Sequence, residues 1–217
     1  MLKKKPFFIV FEGIEGSGKS FLSKKIFKIL KSKGYGVTIT REPGGTSRAE
    51  KIRKIILSDY FNSKIKEKFH KYTDTLLYLA ARNEHIQNVI KPALKKNKIV
   101  ICDRFTDSTI AYQVYGKKVD KKFIDNIHLK ILNGIKPDIT FVLKVNIENS
   151  KRRLKKRKIK NRYDKFSKSF YINAQKAFIR LAKKDKKYHY IINNSNDDKR
   201  IVNNLLSIIM KKINAKK

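Results

Sequence analysis

The chain has 217 residues, with 54 Lys or Arg and 18 Asp or Glu, and therefore a formal charge of +36 at pH 7. Its 41% of hydrophobic residues and 11% of aromatic residues supply enough apolar surface for a buried core, which argues against intrinsic disorder. The single cysteine, Cys102, excludes an intramolecular disulfide framework and most cysteine-based metal sites. No apolar run approaches the roughly 20 residues of a membrane helix, and no signal-peptide core follows the basic start, so we expect a soluble cytoplasmic protein.

The positive charge by itself points to nucleic acid, but its distribution favours another origin. The cations are 43 Lys and 11 Arg, and the lysines occur along the whole chain. A dedicated nucleic-acid binder more often concentrates Arg and aromatic residues on one face or in one arm. Lys, Asn and Ile are favoured together by A/T-rich codons. We therefore interpret the charge as a genome-wide bias and expect only weak, salt-sensitive binding to nucleic acid.

Short apolar runs of β type alternate with longer segments of helical spacing. The predicted strands are Phe7–Phe11, Gly36–Thr40, Ile99–Cys102, Ile139–Val145 and Tyr188–Ile192. The predicted helices are Ser20–Ser32, Ala49–Leu57, Thr73–Leu94, Lys121–Leu132, Asn149–Lys158, Phe166–Lys184 and Asp197–Ile213. This alternation is typical of an α/β fold with a parallel sheet covered on both faces. No internal repeat or linker divides the chain, so we predict one domain over residues 1–217.

A phosphate-binding loop follows the first predicted strand. The segment GIEGSGKS fits G-x-x-x-x-G-K-[ST] at every fixed position, between the strand FFIVF and a helix. Glycines in such a loop let backbone N–H groups point at phosphates, the lysine reaches the terminal phosphates, and the hydroxyl ligates Mg²⁺. The motif predicts a nucleoside triphosphate without specifying the reaction. Its residues are Gly13, Ile14, Glu15, Gly16, Ser17, Gly18, Lys19 and Ser20.

Two segments carry groups suited to a second anionic substrate. REPGGT, residues 41–46, follows the second strand, where Arg41 can bind a phosphate bidentately; a surface ion pair with Glu42 is the alternative. YLAAR, residues 78–82, places Tyr78 and Arg82 on one helix face, which suits base stacking and base-edge recognition. An aromatic residue at this spacing is also common in a protein core.

CDRF, residues 102–105, ends the third predicted strand. Asp103 and Arg104 stand where a Mg²⁺-linked carboxylate and a phosphate-clamping arginine are useful, although such a pair can also be purely structural. Polar groups that can reach a nucleoside follow at Ser108, Thr109, Tyr112 and Gln113.

The chain resembles the bacterial thymidylate kinases over about residues 7–181. The resemblance is carried by five segments in order, which are EGIEGSGKS, REPGGT, YLAARNEH, CDRFTDSTIAYQ and NRYD. The resemblance implies a P-loop NTPase fold with a five-stranded parallel sheet, helices on both faces and a short basic lid at about residues 151–164. It also implies a homodimer that transfers the γ-phosphate of ATP, with Mg²⁺, to dTMP, giving dTDP for dTTP biosynthesis. We expect no specific nucleic-acid partner and no association with a membrane.

The resemblance also implies roles for individual residues. Ser20 and Asp103 hold Mg²⁺. The implied substrate-binding residues are Glu15 at the 3′-hydroxyl, Arg41 and Arg104 at the phosphate, Pro43 in the same loop as Arg41, Tyr78 stacked on thymine, Arg82 at the base edge, Tyr112 against the 2′ carbon, and Ser108, Thr109 and Gln113 around the nucleoside.

The family carries its catalytic arginine either in the P-loop or in the lid. The P-loop position after Glu15 is Gly16, so the lid must supply it, from Arg153, Arg157 or Arg162. The run Lys151–Arg162 is basic at nine of its twelve positions, and a solvated face is the alternative interpretation. The predicted catalytic residues are Lys19, Asp103, Arg104, Arg153 and Arg157.

Three positions depart from the family pattern. Tyr78 replaces Phe and brings a hydroxyl that needs a polar partner, Phe105 stands where Tyr or His is usual, and NRYD replaces DR-x-E. None removes a group needed for phosphoryl transfer. A deoxynucleoside kinase is one alternative, although Arg41 is useful only to an acceptor that already carries a phosphate. A nucleic-acid-binding ATPase and a catalytically lapsed, structural dimer are the others.

Overall fold

The structure is a computed structural model that describes residues 5–58, 68–156, 163, 166–196, 198 and 200–216. Within these residues, one sheet contains five strands: β1 (Phe7–Glu12), β2 (Val37–Arg41), β3 (Ile99–Asp103), β4 (Ile139–Lys144) and β5 (His189–Asn193). Their order is β2-β3-β1-β4-β5, and every neighbouring pair is parallel. The fold is therefore α/β with a five-stranded parallel sheet, as predicted.

Helices connect successive strands, and one more helix follows β5. In the described part of the chain they are α1 (Lys19–Ser32), α2 (Ser47–Ser58), α3 (Lys71–His85), α4 (Lys91–Lys95), α5 (Thr106–Thr109), α6 (Lys121–Leu132), α7 (Ile147–Lys155), α8 (Lys168–Lys184) and α9 (Arg200–Ala215). Wider π-helical turns at Ile86–Ile90 and Ile110–Gly116 join α3 to α4 and prolong α5.

Both faces of the sheet are covered, which explains why its central strand is almost entirely apolar. All six residues of β1 are buried. Ile9 and Phe11 pack on one face against α1 and α9, whereas Phe8 and Val10 pack on the other face with the π-helical turn after α3. On that second face α8 covers Val142 of β4. Alternate residues of a strand point to opposite faces, so a strand covered on both sides needs apolar residues at each position.

The predicted strands and helices are confirmed where the structure describes them, with one addition. We predicted no helix between the third strand and Lys121, yet residues 106–116 are helical. This segment is rich in Thr, Ile, Val and Tyr, which have low helix propensity, and its helix is stabilised by the burial of Ala111 and Tyr112 against α8. No helix in the described residues is long and apolar enough to cross a membrane. The predicted lid lies partly outside the described residues.

Candidate active site

A cavity of about 490 Å³ opens at the carboxyl ends of β1, β2 and β3. Ligands in doubly wound sheets bind at this edge, because the loops that follow the parallel strands meet there. All the predicted substrate-binding residues line the cavity, together with Gly16, Gly18, Lys19, Ser20, Asp103 and Arg153. Gly13, Ile14 and Ser17 belong to the same loop but do not line the cavity. Arg157 and Arg162 lie outside the described residues.

The P-loop is shaped by glycines that no other residue can replace without displacing neighbouring backbone. Gly13 and Gly16 have φ values of +134° and +68°, and a Cβ on either would lie 2.6 Å from a backbone oxygen. Within the loop, Lys19 is buried and its Nζ donates to the Ile14 carbonyl at 2.8 Å. Burial and the nearby Arg104 guanidinium lower the pKa of Lys19 to about 8. The loop thus holds a cation in an enclosed position, ready for an anionic ligand.

Helix α7 and the loop after β5 brace the P-loop from outside. The Ser150 hydroxyl donates to the Glu15 carbonyl at 2.7 Å, and Arg153 donates to the Gly16 carbonyl at 2.9 Å. Asn194 donates from its side chain to the Ser17 carbonyl at 2.8 Å and accepts from Arg153 through its backbone carbonyl at 2.8 Å. Arg153, predicted from the basic run, therefore lies at the P-loop.

Two oxygen ligands suited to a divalent cation meet at the start of α1. The Ser20 hydroxyl donates a hydrogen bond to Asp103 Oδ2, and both residues line the cavity. The described residues contain no group of three or more His, Cys, Asp or Glu side chains that could hold a metal ion. A hydroxyl and one carboxylate fit Mg²⁺, which keeps several waters and takes phosphate oxygens rather than a complete protein cage.

Arg104 enters the cavity from the end of β3 with an unusual backbone. Its φ is +77°, a left-handed conformation that residues other than glycine rarely adopt. The guanidinium donates to the Gly13 carbonyl and Ser108 Oγ at 3.0 Å each and to Glu15 Oε1 at 2.5 Å. It also lies over the Tyr112 ring, 5.2 Å from the centroid. The Arg104 guanidinium is therefore held between the P-loop and the Tyr112 ring.

Glu15 and Tyr112 form a buried pair beside Arg104. The Tyr112 hydroxyl donates to Glu15 Oε2 at 2.7 Å, so each carboxylate oxygen of Glu15 has a donor. Burial raises the pKa of Tyr112 well above its ordinary value, with the Glu15 carboxylate acting in the same direction. The tyrosine consequently remains a neutral donor and the glutamate an oriented acceptor.

Arg82 lies at the base of the cavity and is 3% exposed. It donates to Glu42 Oε2 at 2.7 Å, Thr109 Oγ1 at 2.7 Å, His128 Nε2 at 2.8 Å and the Phe105 carbonyl at 2.8 Å. Because arginine only donates, His128 Nε2 must be an unprotonated acceptor. Burial and the positive charge of Arg82 lower the pKa of His128 to about 3. Arg82 thus organises several elements as well as lining the cavity.

Arg41 and Glu42 do not form the surface ion pair considered as an alternative. The Arg41 side chain is 55% exposed and pairs with Glu50 of α2, with its Nη2 3.1 Å from both carboxylate oxygens. Glu42 is buried and binds Arg82 and, at 3.0 Å, His85. Neighbouring residues in the sequence therefore serve different networks.

Tyr78 has the polar partner that its hydroxyl requires. The hydroxyl forms a hydrogen bond with that of Tyr163, and both residues line the cavity. The Tyr163 ring also lies 5.5 Å from the Tyr112 ring between centroids. Sequence analysis did not identify Tyr163 as a site residue, and it missed the cavity residues Phe21, Glu42, Arg53, Leu57, Leu154 and Lys156. Glu42 lay within REPGGT, Tyr163 within NRYD, and Leu154 and Lys156 within the basic run, but none had been given a role.

Comparison with known proteins agrees with this geometry. The sequence model described as thymidylate kinase matches residues 11–205. The chain belongs to the thymidylate kinase family. It is 38% identical over 208 residues to the thymidylate kinase of Mycoplasma capricolum subsp. capricolum, covering 95% of each chain. It is 42% identical over 181 residues to that of Wolbachia pipientis wMel, covering 82% of this chain and 86% of the relative.

A solved structure extends this relationship to the three-dimensional fold. The crystal structure of thymidylate kinase from Ehrlichia chaffeensis superposes with a TM-score of 0.74 at 32% identity, covering 94% of this chain and 99% of that one. The thymidylate kinase family assignment therefore accounts for the P-loop kinase fold as well as for the motifs, and it confirms the resemblance drawn from the sequence.

Proposed function

We propose that this protein is a dTMP kinase, which transfers the γ-phosphate of ATP to dTMP and gives dTDP for dTTP biosynthesis. The observation that carries the proposal is that P-loop groups, Lys19 and Ser20, and acceptor-side groups, Arg104 and Tyr78, line the same cavity. Phosphoryl transfer needs two anionic nucleotides aligned and their charge neutralised more than it needs covalent chemistry. A single cavity with both sets of groups meets that requirement.

On the donor side, ATP lies along residues 13–20 in this proposal. Backbone N–H groups of the loop bind its phosphates, and Lys19 neutralises charge on the terminal groups. Ser20 and Asp103 would hold Mg²⁺, which would supply positive charge to neutralise the phosphates during transfer. Asp103 and Ser20 already contact one another, which supports their sharing one ion.

On the acceptor side, the phosphate of dTMP binds Arg104 and Arg41. Arg104 is already oriented by its contacts with Gly13 and Ser108. Arg41 pairs with Glu50, and it must either give up this pair or bind Glu50 and the substrate phosphate together. The Tyr78 ring stacks on thymine, with Arg82 at the base edge. The remaining contacts in the proposal are Glu15 at the 3′-hydroxyl, Tyr112 against the 2′ carbon, Pro43 beside the phosphate, and Ser108, Thr109 and Gln113 around the nucleoside.

The catalytic arginine in this proposal comes from the basic segment at residues 151–164, the predicted lid. Arg153 has the best support, because it lines the cavity and donates to the Gly16 carbonyl of the P-loop at 2.9 Å. An arginine there can neutralise charge that develops on the transferred phosphoryl group. Arg157 and Arg162 remain candidates from the sequence alone.

The test is phosphoryl transfer from Mg·ATP to a panel of dTMP, dUMP, dCMP, dGMP, UMP and thymidine. We expect dTMP to be preferred and thymidine to be inert, because Arg41 and Arg104 need a phosphate on the acceptor. Turnover of thymidine would move the protein to the nucleoside kinases. ATP hydrolysis that DNA or RNA stimulates, without dTDP formation, would support the nucleic-acid-dependent ATPase instead.

We further propose that the protein is a cytoplasmic homodimer. On the described surface, three large apolar residues are exposed on adjacent helices. The exposed fractions are 48% for Ile55 of α2, 48% for Leu76 of α3 and 74% for Leu129 of α6, and α3 packs against both α2 and α6. Apolar residues exposed on adjacent helices mark an interaction surface. Light scattering should give the mass of two chains, and Leu129→Lys should shift it towards one, whereas Ile191→Lys on β5 should not. A wild-type mass of one chain at micromolar concentration would refute the dimer.

A further inference from the structure

Glu12 is a fully buried carboxylate that faces the start of α5 rather than the cavity. It is the last residue of β1, directly before the P-loop, and none of its surface is exposed. Its Oε1 accepts from the backbone N–H groups of Phe105 at 2.8 Å and Ser108 at 3.1 Å. Its Oε2 accepts from the Ser108 hydroxyl at 2.6 Å. A buried carboxylate requires such donors, and here all of them belong to the segment that carries Arg104.

Contacts from the end of β1 hold the backbone of Arg104 in place. Its own N–H donates to the Phe11 carbonyl at 2.9 Å, and the next N–H, that of Phe105, donates to Glu12. Two successive residues of β1 thus hold the peptides on both sides of Arg104. Arg104 has a φ of +77°, which persists only where surrounding contacts enforce it. The Glu12 carboxylate supplies one of those two contacts.

Glu12 is also linked to the Arg104 side chain, through Ser108. The Ser108 hydroxyl gives its single proton to Glu12 and accepts from Arg104 Nη1 at 3.0 Å. A hydroxyl has one donor, so an acceptor at the Glu12 position turns the oxygen lone pairs towards the guanidinium. Glu12 therefore orients Arg104 through the backbone and through Ser108 at the same time.

We infer that Glu12 is a positioning residue for Arg104, setting the direction in which this arginine meets the phosphate of the acceptor nucleotide. The inference rests on the proposed function for the identity of that nucleotide. Glu12 itself does not line the cavity, so its influence on ligands passes through Arg104 and Ser108.

The test compares the wild type with Glu12→Gln, which keeps the shape but replaces one acceptor oxygen with an NH₂ donor. Dissociation constants for dTMP and thymidine are measured by calorimetry, and KM values for dTMP and Mg·ATP by coupled assay. We expect about tenfold weaker dTMP binding and a matching rise in the KM for dTMP, as loss of one buried hydrogen bond gives. Thymidine affinity and the KM for Mg·ATP should change less than about twofold, because neither ligand depends on Arg104 meeting an acceptor phosphate.

Asp138→Asn is the matched control. Asp138 also accepts from a backbone N–H of β1, that of Phe8 at 2.8 Å, but at the opposite end of the strand. A purely structural effect would lower the melting temperature in both variants and leave the ratio of dTMP to thymidine affinity unchanged. The positioning role predicts a changed ratio in Glu12→Gln alone.

Two outcomes would overturn the inference. One is equal weakening of dTMP and thymidine binding in Glu12→Gln, and the other is unchanged dTMP affinity. If Glu12→Gln does not fold, Ser108→Ala tests the side-chain route, and an unaltered ratio of dTMP to thymidine affinity there refutes it. Failure of the wild type to form dTDP would instead refute the proposed function. If the wild type forms dTDP and Glu12→Gln binds dTMP with the wild-type affinity, only the positioning role is refuted.

Discussion

Acidification should weaken the fold through His128, which lies on α6 against the buried guanidinium of Arg82. The histidine is 7% exposed, and its Nε2 accepts from Arg82 Nη1 at 2.8 Å. Adding a proton at Nε2 would place two donors face to face and two positive charges in contact. Burial of the ring and, after it, the charge of Arg82 lower the pKa of His128 from 6.5 to about 3 in the folded protein.

The sign and size of the effect follow from proton linkage. Between pH 6.5 and 3 the unfolded chain binds a proton at His128 and the folded chain does not, so the free energy of unfolding decreases as the pH falls. The pKa difference corresponds to about 5 kcal/mol when complete, of which about 2 kcal/mol is lost between pH 7 and pH 5. A domain of ordinary stability would lose a substantial fraction of its margin.

Glu12 opposes this loss over the same range. Burial and the nearby Asp107 carboxylate raise the pKa of Glu12 to about 7 from 4.5, so the folded chain binds this proton first. Acidification from pH 7 to pH 5 therefore stabilises the fold through Glu12 by about 2 kcal/mol. The two contributions nearly cancel, and the wild type alone would show little dependence on pH from this pair. Only a variant separates them.

The variant is His128→Gln, whose side-chain oxygen still accepts from Arg82 but does not titrate. Urea unfolding of both proteins at pH 7, 6 and 5 gives the difference in free energy of unfolding at each pH. We expect that difference to move by about 2 kcal/mol in favour of the variant between pH 7 and pH 5. In the wild type, the NMR signal of the His128 ring should not titrate above pH 5. A constant difference, or a ring that titrates near pH 6.5, would refute the reasoning.

Three further predictions address the proposed roles. Lys19→Ala should lower kcat for dTDP formation by about 10²- to 10³-fold in the coupled assay, because it removes a buried cation from the transferred phosphoryl group; normal turnover would reject that role. Tyr78→Phe should lower the free energy of unfolding in urea by about 1 kcal/mol, since the hydrogen bond with Tyr163 is lost, while the KM for dTMP changes less than about threefold because stacking survives. Arg153→Ala should reduce kcat by at least about 10²-fold, and its exposed neighbour Arg152→Ala should leave kcat near the wild-type value; equal effects would remove Arg153 from the catalytic group.

The sequence determined the elements whose pattern is local. A strand buried on both faces must be apolar at nearly every position, so β1 was evident from FFIVF. A loop that turns backbone N–H groups inward needs glycine where a Cβ would strike backbone, so Gly13 and Gly16 marked the P-loop. Because the carboxyl ends of parallel strands meet at one edge, the motifs that follow β1, β2 and β3 had to converge there.

The tertiary structure decided which partners the buried charges take. Arg82 finds Glu42 and His128 at separations of 40 and 46 residues, and Glu12 reaches Ser108 across 96. Those pairings depend on how the helices dock and on which polar atoms are buried away from water, where each needs a hydrogen-bond partner. The spacing of residues along the chain contains neither kind of information. For the same reason Tyr163 was missed and Arg41 was paired with its sequence neighbour as one alternative, whereas docking of α2 brings Glu50 to Arg41 instead. Local backbone chemistry thus specified the phosphate loop, while desolvation in the packed interior selected the contacts that orient the groups around it.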